Sequence, residues 1–328
     1  MAEFYGEIEE IPFNLCGIFN ERWVVAAPFD DPIDRDYTQY HCYDSECPDT
    51  STYLLVPRSD VLQRREDSAI HRMIKVLEKI DGRSVHFPRL LLAGKLSSVT
   101  FGSSGDQQQE RDPEWPDRPV AVIQYEGNLL STLLDVSDFG GLPVELALVI
   151  GIGCIKALAA LHHAGFVHRL VTPFSFSYVN PVSIVNFGNR MVISDFSLVM
   201  QWPTKPRVFV PFVGSQRYSS IRAHQGREQG PSDDIISVIY VITELIAGKL
   251  PWRSLYSTME VREAKKVFYA STEFKRLPRE IRSVYRSMIL TLGPSPVDHK
   301  SIINLFEKAL KRKDPEGIFK LPHFMDMY

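Results

Sequence analysis

Residues 166–197 carry the densest run of side chains able to do chemistry, in FVHRLVTPFSFSYVN and, further on, MVISDFS. In outline His168 and Arg169 are expected to close a buried helix, followed by a short loop with hydroxyls at Thr172 and Ser175 and by a strand ending in Asp195 and Phe196. A carboxylate in such a place can hold magnesium, which needs one or two carboxylates together with phosphate oxygens. Directly after the His-Arg pair stands Leu170. Its side chain has no lone pair and accepts no proton at any pH, so it offers no general base. Arg207 and Arg217 could clamp a phosphate or carboxylate bidentately, although Arg217 serves equally well as a structural ion-pair partner, for example to Glu228. His41, Cys42 and Cys47 are of metal-ligand type. No second closely spaced pair completes a tetrahedral set, so they read as loop thiols.

These groups need elements to position them. At 328 residues the chain suits one two-lobed domain or two ordinary ones. Lysine plus arginine (37) nearly balances aspartate plus glutamate (40), with no long basic run, so nothing points to nucleic acid. The N-terminus MAEFYGEIEE is acidic and does not read as a secretory signal. The most apolar run, 146–155, lies between Glu145 and Lys156 and is too short to cross a bilayer, so it reads as a core helix. Four cysteines, Cys16, Cys42, Cys47 and Cys154, are too few and scattered for a disulfide framework.

In chain order, residues 13–28 predict the first hairpin of a small sheet. Residues 30–51, polar and turn-rich, predict a surface insertion. YLLV at 53–56 predicts a strand, followed by Pro57 and Arg58. Apolar residues at helical spacing predict an amphipathic helix over 67–80. Strands follow at 87–96 and 121–124, separated by a Ser-, Gln-, Asp- and Pro-rich surface insertion at 102–119. Residues 143–163 are apolar nearly all round and predict a central helix. A second such helix spans 233–247, with Ser232 or Asp233 as N-cap and Gly248 as its stop. Residues 302–310 read as the closing helix before a tail at 314–328.

FVGSQRYSSIRAHQGREQGPSDDIISVIYVITELIAGKLPW, at 212–252, resembles the casein kinase 1 superfamily. It is most similar to the tau-tubulin kinase branch, whose members carry a like series of Phe-Arg-Gly-Thr, Arg-Tyr-Ala-Ser, Ala-His, Asp-Asp and Leu-Pro-Trp. VIQYEGNLLSTLL from Val122 looks like the segment joining two kinase lobes, so the resemblance covers roughly residues 65–312. It implies an α+β, two-lobed protein kinase-like fold. The small β-rich N-lobe would take 1–124 with its surface insertions, a hinge 125–128, the large mainly helical C-lobe 129–312 and a C-terminal tail 313–328.

In kinases of this layout an aspartate after His-Arg takes the substrate's proton, and the aspartate of Asp-Phe-Gly holds magnesium. The resemblance puts Leu170 at the first position and leaves Asp195 at the second. Thr172 stands for the phosphate-contacting lysine, Ser175 for an asparagine that binds the second magnesium, and Ser197 for a glycine, which makes a positive φ less accessible. With the phosphate-holding groups gone, Asp195 reads as a solvated or hydrogen-bonded carboxylate left in the cleft ahead of a magnesium ligand. In the small lobe the glycine-rich phosphate cover is reduced to Gly17, with no further glycine before Gly82. No lysine precedes Lys75; Arg58 could offer a charge, but guanidinium and ammonium are not interchangeable. Met73 or Ile74 occupies the position of the glutamate that pairs with that lysine.

The residues that shape the large lobe are kept: His168, Arg169, Phe196, Tyr218, Glu228, Asp234 and Trp252. Asp234 is expected to hydrogen-bond the backbone at His168, and Phe196 to stack on the His168 ring. Arg207 and Arg217 match arginines around the activation segment that help recognise acidic or phosphorylated substrates, while Val213 replaces a third. The expectation is a pseudokinase acting as a protein-binding scaffold or regulator. The alternative is an active serine/threonine protein kinase of atypical mechanism, with Arg58 on the phosphates and Asp195 on magnesium. No cofactor is expected, with ATP and magnesium belonging to the alternative. Partners would be other proteins, including acidic or phosphorylated segments, without nucleic acid or a membrane span. The expected location is the cytoplasm, with the nucleus as an addition.

Overall fold

Two stretches of the chain are apolar at every position and short, YLLV at 53–56 and VAVI at 120–123, as strands covered on both faces must be. In a computed structural model they pair antiparallel in the middle of a sheet, with Tyr53 opposite Ile123 and Leu54 opposite Val122. The structure describes residues 17–19, 22–28, 37–47, 51–57, 68–80, 84–95, 101–102, 119–125, 127–137, 140–178, 190–205, 207–293 and 295–319. They fall into two compact units, one from 1–71 with 91–124, the other from 72–90 with 125–328.

The first unit holds β1 (Gly17–Phe19), β2 (Trp23–Pro28), β3 (Tyr37–Asp44), β4 (Ser51–Pro57), β5 (Arg89–Lys95), β6 (Phe101–Gly102) and β7 (Pro119–Gln124). Their order in the sheet is β5-β7-β4-β3-β2-β1-β6. Trp23, Val25, Tyr40, Cys42, Leu54, Val56, Val120 and Val122 form its core. The predicted hairpin is present as β1 and β2; residues 13–16 lie outside the described ones.

One expectation fails here. Residues 30–51 are not a surface insertion throughout, since 37–44 form β3, inside the sheet between β2 and β4. The polar look of that stretch misleads because its polar groups are bonded inside the sheet. Asp44, 2% exposed, accepts two hydrogen bonds from Arg22 at 2.9 and 2.7 Å, and Thr52 donates to the Cys42 carbonyl at 2.6 Å. Burial pushes the Cys42 thiol up to about 12, unsuited to supplying a thiolate ligand. Among the described residues no group of three His, Cys, Asp or Glu side chains could hold a metal ion.

Helix α1 (Ala69–Ile80) buries Ile70, Met73, Val76, Leu77 and Ile80, the spacing of one helical face. The second unit then supplies α2 (Thr132–Ser137), α3 (Val144–His163), α4 (Ile221–His224), α5 (Pro231–Ala247), α6 (Thr258–Lys266), α7 (Thr272–Arg276), α8 (Arg279–Leu290) and α9 (His299–Lys313). Its short strands are β8 (Asn128–Leu129), β9 (Phe166–Val167), β10 (Phe176–Tyr178), β11 (Met191–Ile193) and β12 (Met200–Gln201). Helices α3 and α5 pack together, with α9 against α3 and α8 against α5. Their lack of a polar face follows from this, because neighbours cover them all round.

Helix α5 begins two residues before the expected start. Pro231 opens it, where a missing N–H costs nothing, and Gly230 is the N-cap. Asp233 sits one turn in, where its carboxylate accepts from the Gly230 amide at 2.8 Å. Gly248 ends the helix at φ 78°. Among the described residues α3 is the one helix long and apolar enough to cross a membrane, and most of it is buried inside its unit. The expected N-lobe and C-lobe contents, an antiparallel sheet and a mainly helical body, are both present.

Candidate functional site

Two antiparallel pairs bring the His-Arg loop beside the Asp195 turn. Strand β9 pairs with β12, Val167 opposite Met200, and β10 pairs with β11, Phe176 opposite Ile193. The Ser194 amide then donates to the Ser175 carbonyl at 3.0 Å, closing the gap between them.

Asp234, in the first turn of α5, holds the loop from below. One carboxylate oxygen accepts from the Arg169 amide at 2.9 Å, and the other from the His168 amide at 2.8 Å and from His162 Nε2 at 2.8 Å. Burial opposes ionisation of Asp234, but the His162 bond and the nearby imidazoles outweigh it and hold the carboxyl below its ordinary range. Arg169 is the one non-glycine residue at positive φ among the described residues, at 66°. Such a conformation costs on the order of 1–3 kcal/mol and persists only where neighbours fix it. Here Asp234 fixes its amide, and its Nε donates to the Leu198 carbonyl at 2.8 Å. Burial, with Arg72 nearby, lowers the Arg169 pKa to about 10, which leaves it charged.

His168 is buried, and burial lowers its pKa. Its Nδ1 accepts the Leu170 amide at 3.2 Å, so the residue shapes the turn. The ring stacked on it is Phe176, at 6.1 Å between centroids and 15° between planes. That corrects the expectation for Phe196, which is wholly buried and lies against Phe87 at 6.2 Å. Phe176 follows the loop on β10.

The groups expected at chemical positions are turned inward. Thr172 Oγ1 lies 3.0 Å from Ser175 Oγ and accepts the Phe174 amide at 3.2 Å, capping a 3-10 turn at Pro173–Ser175. Ser175 donates to the Leu170 carbonyl. Both hydroxyls are buried. Asp195 is wholly buried and accepts the Ser197 amide at 2.8 Å, a hydrogen-bonded carboxylate and not a solvated one. Ser197 keeps a negative φ. Its carbonyl accepts from Arg72 Nε at 2.6 Å, a contact the sequence reading missed because it looked one and two residues further along α1, to Met73 and Ile74. Met73 is fully buried.

Both activation-segment arginines are engaged. Arg207 forks onto Glu228 at 2.9 and 3.0 Å, and this pairing holds Glu228 below the usual carboxylate range. Arg217 lies 3.6 Å from Glu244, whose other oxygen accepts the Tyr218 hydroxyl. The ion-pair alternative for Arg217 is thus realised with Glu244, because Glu228 is taken. Trp252 Nε1 donates to the Arg217 carbonyl at 2.8 Å. Gly214, at φ 121°, is confined: a Cβ there would lie 2.3 Å from Ser219 Oγ and 2.7 Å from the Arg169 carbonyl. Arg58 lies outside the described residues.

Lys265 is a further organising residue. It is buried, and its Nζ donates to the Gln216 and Ser219 carbonyls at 2.8 and 2.6 Å and faces the Tyr240 and Trp252 rings at 5.3 Å each. Burial drives its pKa well below the ordinary lysine value. In the sequence it is one of two adjacent lysines, Lys265 and Lys266, and nothing local distinguishes it.

Comparison with known proteins places these features. A Caenorhabditis elegans protein with a provisional casein kinase I name is 34% identical over 169 residues, 48% of this chain and 48% of that one. A Dictyostelium discoideum protein provisionally named a serine/threonine-protein kinase is 31% identical over 164 residues, 48% of this chain and 32% of the relative. An Encephalitozoon cuniculi protein provisionally named a casein kinase I homologue is 28% identical over 214 residues, 60% of this chain and 68% of the relative. These relatives support a casein kinase I-like kinase family. The matches span about half or less of the length of the first two relatives. No family model matches the chain. A sheet-rich unit and a mainly helical unit are the contents of a protein kinase fold.

Proposed function

We propose that the chain is a pseudokinase of the casein kinase 1 superfamily, nearest its tau-tubulin kinase branch, acting as a protein-binding scaffold or regulator. The observation that carries this reading is the closed loop: Leu170 stands where a base is needed, and the Thr172 and Ser175 hydroxyls are buried and bonded to each other and to the Leu170 carbonyl. Loss of the base costs roughly 10²- to 10⁴-fold and loss of a charge-stabilising group roughly 10²- to 10³-fold. These factors do not simply multiply. Even the smaller combinations bring a kinase of about 1–100 turnovers per second towards rates of little use in signalling.

Magnesium nucleotide is poorly served by this donor set. The loop offers one carboxylate, Asp195, which is buried and accepts the Ser197 amide; one carboxylate suffices only where phosphates are held beside it, and the Thr172 and Ser175 hydroxyls, at the positions expected to hold phosphate and metal, are bonded to each other. The positions retained, His168, Arg169, Phe196, Glu228, Asp234 and Trp252, serve shape. The proposed partners are other proteins meeting the activation segment, where Arg207 is half-exposed and Val208 and Phe209 are exposed. An acidic or phosphorylated segment would compete with Glu228 for the Arg207 fork. The proposed location is the cytoplasm, with the nucleus in addition.

The test is a thermal-shift titration with ATP, with and without magnesium. A ligand at a hundredfold excess over its Kd stabilises the folded state by about 2.7 kcal/mol. No shift at millimolar ATP is expected. A magnesium-dependent shift that Asp195→Ala abolishes would instead support the atypical kinase.

A further inference from the structure

His162, in the last turn of α3, bridges two partners. Its Nε2 lies 2.8 Å from Asp234 on α5, and its Nδ1 lies 2.7 Å from Nε2 of His299, the first residue of α9. Both imidazoles are buried. Counting donors and acceptors fixes where the hydrogens sit. An ionised carboxylate only accepts, so His162 Nε2 carries a hydrogen. In neutral His162 the Nδ1 is then a bare lone pair, and His299 Nε2 supplies the hydrogen between the rings.

One added proton can be housed without breaking this line. It goes on His162 Nδ1, with His299 shifting to its other tautomer, or on the free Nδ1 of His299. Two added protons cannot be housed, because both facing nitrogens would then carry hydrogens at 2.7 Å. We propose that the His162–His299 pair is a pH-responsive latch between helix α9 and the His-Arg loop, closed with at most one added proton and opened by the second. The loop feels the change through Asp234, which binds His162 with the same oxygen that holds the His168 amide and with its other oxygen holds the strained Arg169.

The groups facing the pair set its direction. His163, on α3, has its ring 5.8 Å from that of His299, and its charge opposes protonation there, as does that of His162. Asp234 from α5 and Asp298, the N-cap of α9, favour it, and His168 adds to the field at Asp234. Burial is the largest influence and brings His299 down to about 4, against an ordinary value near 6.5. An unfolded chain therefore takes this proton as pH falls through about 6.5, while the folded chain resists to about 4. The stability contributed by keeping His299 neutral is therefore present in full above about 6.5 and lost as pH falls towards 4; the second proton, which opens the latch, binds below that window. This device does not depend on whether the protein binds nucleotide.

The test uses the full chain and its His299→Gln variant, whose side-chain amide can donate to His162 Nδ1 but cannot titrate. Amide-exchange protection factors at His168 and Arg169 are compared at about pH 7.5 and at about pH 3, below the His299 window. About a tenfold loss is expected in the parent and less than about threefold in the variant. An equal loss in both would overturn the proposal. If the variant does not fold, imidazole nitrogen chemical shifts of the parent decide. At neutral pH a bare His162 Nδ1 facing a protonated His299 Nε2, with His299 titrating well below 6.5, supports the latch; His299 titrating as a free imidazole near 6.5 overturns it.

Discussion

Asp234→Asn tests what holds the loop. The carboxylate accepts three hydrogen bonds, from the His168 amide, the Arg169 amide and His162. An asparagine has one acceptor oxygen. With that oxygen kept towards His168 and His162, the new amide nitrogen faces the Arg169 N–H at 2.9 Å, donor against donor. Losing a charge-assisted bond costs about 1.5–3 kcal/mol, and leaving a buried donor unmet costs about 1–3 kcal/mol. The terms overlap, so the expected loss is about 2–5 kcal/mol, a large share of a typical stability of about 5–15 kcal/mol. The positive φ of Arg169 adds to this, because the group that fixes it is gone. Hydrogen exchange at the buried amides of Ile239 and Tyr240 in α5 reads the stability of the helical unit. Glu263→Gln, at an exposed pair with Lys266, serves as a control expected to change nothing measurable. A loss below about 0.5 kcal/mol for Asp234→Asn would refute the view that this carboxylate fixes the loop.

Other predictions follow from the same geometry. Leu170→Asp alone restores no phosphotransfer in a radiolabel assay, because the Thr172 and Ser175 hydroxyls stay bonded inside the loop. Gly214→Ala lowers the melting temperature by the equivalent of about 2–3 kcal/mol, through a clash with Ser219 and the Arg169 carbonyl and a backbone conformation unsuited to a side chain. Glu280, held chiefly by the Arg312 fork, has its pKa lowered to about 2. Its contribution is therefore present above about 4.5 and lost as pH falls towards 2, so the stability gap between the parent and Glu280→Gln, followed by urea unfolding, should close across that window.

The large lobe was legible because its signals are local and redundant. Helices α3 and α5 announce themselves by unbroken apolar runs, and Gly248 by its position just past one of them. Strand β3 was hidden because Gln39 and Asp44 look like surface residues until Arg22, on the neighbouring turn, is seen to meet the carboxylate. Asp234 was placed through the family resemblance, and its bonds to the His168 and Arg169 amides lie where that resemblance puts them. Side chains that depend on distant partners could not be placed. Lys265 lies 49 positions from Gln216, Arg72 lies 125 from Ser197, and His299 lies 137 from His162. Phe196 shows the reverse error, since the stacking role assigned to it went to Phe176, a nearer ring on the adjoining strand.

The most direct test of the central reading is transfer of labelled γ-phosphate from magnesium ATP by the purified full chain, to casein and to itself, beside Asp195→Ala. The expected result is incorporation at background level and identical in the two proteins. Saturable incorporation by the parent that Asp195→Ala abolishes would contradict it and establish a kinase that works without a base at position 170.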